Sequence, residues 1–174
     1  MEISVVPVPG RYVGVAYNRG LLANTIPLPT KELALKTLEK LVGPRTQQGY
    51  VDKNICFVAK LVHNIWMGVG DPHQLHRKAA GLKIDYSGYT QMEAKVLEAV
   101  RRIRPGETKT YGEIANIVGV KRGARFVGSV MAKNLTPLIV PCHRVVAKHG
   151  PGGYTYGIGE KLRLLRMERE LARC

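Results

Sequence analysis

The feature that most restricts the fold of this chain is a strand-rich opening that gives way to helical patterns, which then fill its second half. Residues 3–6 and 12–17 are rich in Val and Tyr, and Asn18-Arg19-Gly20 supplies turn chemistry for a hairpin into residues 21–25. Thr30 then reads as an N-cap, with Leu33, Leu38 and Leu41 at near-helical spacing behind it. Val51, Ile55, Val58, Val62 and Ile65 recur every three or four residues and predict an amphipathic helix over 51–66, with Cys56 and Trp66 as packing residues. Residues 82–86 read as a short strand, and Ser87-Gly88 is the candidate boundary.

Beyond that boundary the pattern is helical. Thr90-Gln91-Met92-Glu93 is a capping box, and Met92, Val96, Val100 and Ile103 continue one apolar face until Pro105-Gly106. The expected class is therefore α+β: a small α/β domain over 1–87 and a mostly helical domain over 88–174. No apolar run approaches the roughly 18–20 residues needed to span a membrane, and residues 1–10 are too short and proline-rich for a signal peptide. A cytoplasmic, intracellular setting is expected. Three cysteines, Cys56, Cys142 and Cys174, cannot all pair, so free thiols are expected.

Charge narrows the partner. The chain carries 27 Lys and Arg against 13 Asp and Glu, a formal net charge of +14. Residues 89–174 hold 16 basic and 7 acidic side chains, the larger share of that excess. This favours a polyanion, and without a lipid signal it favours nucleic acid. In the same half, Thr110 can cap a helix over 111–118 that Gly119 stops, and a second helix is expected over 122–133. Two short helices about a glycine turn form the pattern of a helix-turn-helix. The second would carry Arg122 and Arg125 near its start, with Gly123, Ala124, Gly128 and Ser129 as small residues. Small side chains allow close approach to a groove or to another helix, and composition alone does not choose between these.

The chemistry concentrates in Ile139-Val140-Pro141-Cys142-His143-Arg144-Val145-Val146. A cysteine becomes a strong nucleophile when a neighbour accepts its proton or stabilises its thiolate. Pro141 favours a turn, and in a turn Cys142 and His143 can converge as they cannot in a strand. An isolated cysteine can equally be a small buried hydrophobe. Cys142, His143 and His149 lack a second cysteine pair at metal spacing, so no metal is expected. In a helix expected over 158–171, Leu162, Leu164 and Leu165 should pack inward with Glu168 on or beside their face. Glu168 would there orient a histidine base, or pair with Arg144 or Arg163.

These residues resemble a known family, the O6-alkylguanine-DNA alkyltransferases, through the active-site signature Pro141-Cys142-His143-Arg144-Val145. The resemblance runs from about Tyr86 to Glu168. It implies that Cys142 accepts the alkyl group, that His143 acts as base through a water, and that Glu168 orients it. Asn134 would brace the turn, Arg125 would replace the flipped guanine in the stack, and Tyr111 would rotate the 3′ phosphate and serve the base. Tyr154, Thr155 and Tyr156 would form the loop over the base, with Lys161 behind it and Val145 offering main chain. Arg122, Ala124, Arg125, Gly128, Ser129 and Met131 would meet duplex DNA in the minor groove. The resemblance also implies an RNase H-like first domain, a winged-helix-like helix-turn-helix in the second, a monomer, single turnover and no cofactor.

Departures are also present. The helix reads Arg125-Phe126-Val127-Gly128-Ser129-Val130, with Phe126 and Val130 bulkier than the family's usual small residues, so they either pack inward or wedge the bases. Tyr156 stands where many members have glycine, which implies lower acceptance of large alkyl groups such as benzyl. Two other readings compete. A Cys-His-Glu thiol hydrolase leaves the basic helix-turn-helix unexplained, and an alkylated-DNA sensor of the family's non-catalytic kind would lack Cys142.

Overall fold

A computed structural model describes residues 1–43, 47–48 and 51–172. Cys174, one of the three expected free thiols, lies outside them. Within them the chain divides into two compact units that are discontinuous in sequence. Of the described residues, the first comprises those up to 69 with 81–85 and 135–138, and the second 70–80, 86–134 and 139–172. Mixed helix and sheet makes the protein α+β.

The first unit is built on strands β1 (Glu2–Val8), β2 (Arg11–Tyr17), β3 (Leu21–Asn24) and β4 (Gln47–Gln48), in sheet order β3-β2-β1-β4. The first three pair antiparallel, whereas β4 runs parallel to β1. Helix α1 (Lys31–Val42) begins at Thr30, whose hydroxyl accepts from the Leu33 amide at 3.2 Å. Helix α2 (Lys53–Met67) begins at Asp52, which accepts from the Ile55 amide at 2.8 Å. Val13, Val15, Leu21, Leu38, Val58 and Val62 are fully buried between sheet and helices. Each such side chain contributes about 1.5–3 kcal/mol. The expected strand over 82–86 is reduced to one bridge, Ile84 to Leu21, because the chain turns again at Ser87.

The second unit opens with α3 (Pro72–Ala80), which the apolar pattern conceals because only Leu75 and Ala79 are buried. Helix α4 (Gln91–Arg101) carries both bonds of the Thr90/Glu93 capping box, and Lys133 closes on Glu93 at 2.7 Å. Met92 is 37% exposed and so stands at the edge of the buried α4 face. Strand β5 (Lys109–Thr110) leads into α5 (Tyr111–Ile117), capped by a second reciprocal box, Thr110 and Glu113. Gly119, at φ +79°, turns the chain. Helix α6 (Ala124–Ala132) starts two residues later than expected, because Arg122 takes a left-handed φ of 53° and Gly123 is the first cap. Its Val127, Val130 and Met131 are buried, while Ala124, Arg125 and Ser129 face solvent. Val130 therefore packs inward. A 3-10 turn (Cys142–Arg144), β6 (Val145–Val146) and α7 (Ile158–Leu171) follow, with β6 parallel to β5. Leu164 and Leu165 pack inward as expected, but Leu162 is 47% exposed, at the edge of the face that buries Lys161, Leu165 and Glu168. No helix among the described residues is long and apolar enough to cross a membrane.

Candidate active site

Pro141 cannot donate a backbone hydrogen bond, and after it the chain winds into the short 3-10 turn that starts at Cys142. The turn is held by Cys142 N donating to Val140 O at 2.8 Å and Arg144 N donating to Pro141 O at 2.9 Å. Asn134 Nδ2 donates to the same Val140 carbonyl at 3.0 Å. Cys142 is a free thiol, only 8% exposed. Burial pushes its thiol above the ordinary range, while Asn134, the Lys161 ammonium and the backbone amides of the turn oppose that rise. The resting group is therefore a thiol that needs a base.

The base lies beside it in sequence and is fully buried. His143 Nε2 is 2.8 Å from Glu168 Oε1. Arg144 grips the same carboxylate in a bidentate fork, Nε to Oε2 at 2.9 Å and Nη2 to Oε1 at 2.8 Å. Two of the three partners that sequence spacing allowed for Glu168 are thus used at once, Arg163 instead pairing with Glu160. Burial would raise the Glu168 carboxyl, but His143 and Arg144 hold it well below the usual carboxylate range. An ionised carboxylate has no proton to give, so His143 carries its proton on Nε2. Nδ1 is left unprotonated, buried and without a hydrogen-bond partner among the described residues. Burial lowers the His143 value, with Glu168 pulling it up and Arg144 and Lys161 pushing it down. The imidazole is neutral and able to accept.

Cys142 forms part of the wall of a cavity of about 250 Å³, with Tyr111, Gly128, Met131, Ala132, Gly153, Tyr154 and Thr155 completing the lining. Met131, expected on the DNA-facing surface, is instead buried in this wall, because it lies on the α6 face that carries Val127. Tyr154 sits edge-on to both His143 and Tyr156, with centroids 6.4 and 5.6 Å apart, and its buried hydroxyl has no partner among the described residues. Tyr156 does not itself line the cavity. Lys161 is fully buried, donating to Val145 O at 2.6 Å and Gly153 O at 3.0 Å. Burial draws its ammonium down to about 8. The Val145 carbonyl thus pairs with Lys161.

Arg122 and Arg125 lie outside this wall, exposed at the turn and on the first turn of α6. Sequence reasoning missed Gly152. It takes φ +71°, and a Cβ there would sit 2.8 Å from Tyr111 Oη. The signal was present as Pro151-Gly152-Gly153, a glycine pair in a loop that passes a tyrosine. Among the described residues no three His, Cys, Asp or Glu side chains gather as a metal site.

Residues 91–170 match the model of the 6-O-methylguanine DNA methyltransferase, DNA binding domain, family. The methylated-DNA–protein-cysteine methyltransferase of Methanocaldococcus vulcanius is 34% identical, over 95% of this chain and 96% of that protein. Its counterpart in Methanocaldococcus jannaschii is 32% identical, over 91% and 88%. Among solved structures, the O6-methylguanine-DNA methyltransferase of Pyrococcus kodakaraensis superposes with a TM-score of 0.70 at 26% identity, covering 96% of this chain and 98% of that one. The Mycobacterium tuberculosis protein crystallised in complex with DNA gives 0.71 at 25% identity, over 98% and 94%. A signature cysteine beside a buried His–Glu pair, and likeness along almost the whole chain, lead to one conclusion: the chain belongs to the methylated-DNA–protein-cysteine methyltransferase family.

Proposed function

We propose that this protein repairs DNA by moving an alkyl group from O6 of guanine in duplex DNA onto Cys142, once per molecule and irreversibly. The observation that carries this reading is Cys142 in the wall of a partly open cavity, next in sequence to a neutral histidine fixed by a buried carboxylate. O6 of guanine lies inside the duplex, so the nucleotide must leave the stack, at a cost of about a few kcal/mol. The exposed face of α6, with Arg125, Ala124 and Ser129 and with Arg122 at its approach, is suited to the minor groove, where Arg125 fills the gap. Phe126 is only partly buried on that helix and can add an apolar wedge.

In the cavity His143 Nδ1 takes the Cys142 proton through a water, and the thiolate attacks the alkyl carbon. A sulfur–carbon bond forms as the bond to O6 breaks, and the electron pair passes into the guanine ring. Tyr111 supplies the proton that guanine then needs. Burial raises its hydroxyl, which keeps it protonated at neutral pH, the state in which it can donate. The proton held by His143 then passes to Tyr111, so that in net terms one proton moves from the thiol to guanine. Asn134 braces the turn, Tyr154, Thr155 and Tyr156 form the loop over the base, and Lys161 ties that loop to Val145. A thioether is not readily cleaved, so turnover stops there.

We read α5, its turn and α6 as a winged-helix-like helix-turn-helix. Three antiparallel strands with a parallel fourth support an RNase H-like first unit, with a supporting role. The functional division is residues 1–87 and 88–174, the working form a monomer acting on intracellular DNA without a cofactor. The test is a duplex bearing one radiolabelled O6-methylguanine, with the label mapped by peptide mass spectrometry. At most one label per protein is expected, on the Cys142 peptide and lost in Cys142→Ser. Label that stays on tightly bound DNA makes this a sensor, and label released to solution makes it a turnover enzyme.

A further inference from the structure

We propose that His76, on α3, is a positioning residue for alkyl transfer: its neutral imidazole completes the cage that fixes Arg144 and, through Arg144, the Glu168–His143 pair. The inference rests on the alkyl-transfer reading above. Arg144 is nearly buried, and its guanidinium spends Nε and Nη2 on Glu168. The remaining nitrogen, Nη1, donates to Ile103 O at 2.6 Å and lies 3.3 Å from His76 Nδ1. A guanidinium has only donors, so His76 Nδ1 must offer its lone pair, and the ring proton must sit on Nε2. Protonated His76 could not accept, and would set a second cation against Arg144.

Helix α3 is placed to present that lone pair. Arg101 Nη2 donates to Ala79 O at 3.1 Å and Ala80 O at 3.0 Å, anchoring the end of α3 on α4. Burial and the Arg144 charge draw His76 down to about 4, with Glu168 opposing and His73 and Arg104 adding to the fall. The imidazole therefore stays an acceptor at neutral pH. Loss of the acceptor would loosen Arg144. Its charge would then offset less of the Glu168 pull on His143, and His143 would protonate at higher pH.

The test uses the full chain, a single-turnover assay on duplex O6-methylguanine, and the variants His76→Ala, His76→Gln and His73→Ala. Alanine suits a helix, and a thermal melt confirms that each variant is folded. His76→Ala should slow transfer about tenfold. Its acid limb should rise by roughly half to one pH unit, with DNA affinity unchanged. His76→Gln keeps an acceptor and should recover most of the rate and the wild-type limb. His73→Ala, exposed on the same helix, should match wild type. Equal rates and limbs in His76→Ala and wild type would overturn this inference alone, as would a glutamine variant as slow as alanine. No label on wild-type Cys142 would overturn the alkyl-transfer reading and this inference with it.

Discussion

Glu168 Oε1 lies 2.8 Å from both His143 Nε2 and Arg144 Nη2, so one buried oxygen serves a base and a permanent cation together. The arrangement gives His143 a single protonation state at neutral pH and leaves Arg144 compensated.

Glu168→Gln should separate those two tasks. The amide leaves a buried guanidinium without its counter-charge, at a cost of about 3–5 kcal/mol of stability. It also ceases to orient His143, and transfer should fall by about 10²-fold or more. Adding Arg144→Leu removes the orphaned charge and should restore much of the melting temperature while leaving transfer slow. A double variant no more stable than Glu168→Gln would contradict this division, as would a single variant transferring at the wild-type rate.

Acid should destabilise the fold earlier than carboxylate titration alone would. Burial lowers both His143 and His76, the latter to about 4. A histidine with a depressed folded value binds fewer protons folded than unfolded, so stability is complete above about pH 6.5 and lost as pH falls. His76 alone accounts for about 1–2 kcal/mol between pH 6.5 and 4, once its partial solvent contact is allowed for. Glu168, depressed by its two partners, adds to the loss below about pH 4.5. Melting temperatures at roughly 0.3 M salt, which screens the net positive charge, should decline from pH 7 to 4. The decline should be shallower in His76→Ala, and a flat curve would refute the assignment.

How much of this was legible beforehand depended on how local each signal was. The Thr90/Glu93 capping box, the Thr110 cap and the bounds of α7 follow from short-range chemistry, and the structure reproduces them. Helix α3 escaped notice because two buried apolar residues do not make a stripe. Arg122 was assigned to α6 because its left-handed backbone leaves no trace in composition. In the site, spacing left Glu168 a choice among His143, Arg144 and Arg163, but could not reveal that two would be satisfied at once. That outcome depends on how the 3-10 turn aims two adjacent side chains. His76 was invisible because it reaches Arg144 across 68 residues.

Tyr156 should govern the size of alkyl group accepted, although it stands one side chain back from the cavity. It packs edge-on against Tyr154, which lines the cavity. Burial pushes its hydroxyl up to about 12, so it stays neutral at working pH. Tyr156→Gly removes the support behind Tyr154 and lets the wall retreat. Free O6-benzylguanine should inactivate the variant about tenfold faster, while the rate with O6-methylguanine changes by roughly threefold or less. An unchanged benzyl rate would exclude Tyr156 as the size determinant.

Gly152→Ala tests the loop over the cavity on two counts. A non-glycine residue at φ +71° costs about 1–2 kcal/mol. The added methyl would also sit 2.8 Å from Tyr111 Oη and 2.9 Å from its Cε2, so either the loop or the ring must shift. The Gly153 amide hydrogen-bonds the same tyrosine, and its carbonyl takes Lys161. Displacing the loop therefore disturbs Tyr111 and Lys161 together. Transfer should slow by about 10²-fold with DNA affinity within roughly twofold of wild type, because Arg122 and Arg125 are untouched. Gly153→Ala makes a matched control, since a Cβ there meets nothing within 4 Å. Comparable losses in both variants would show that loop flexibility matters and that the Gly152–Tyr111 approach does not.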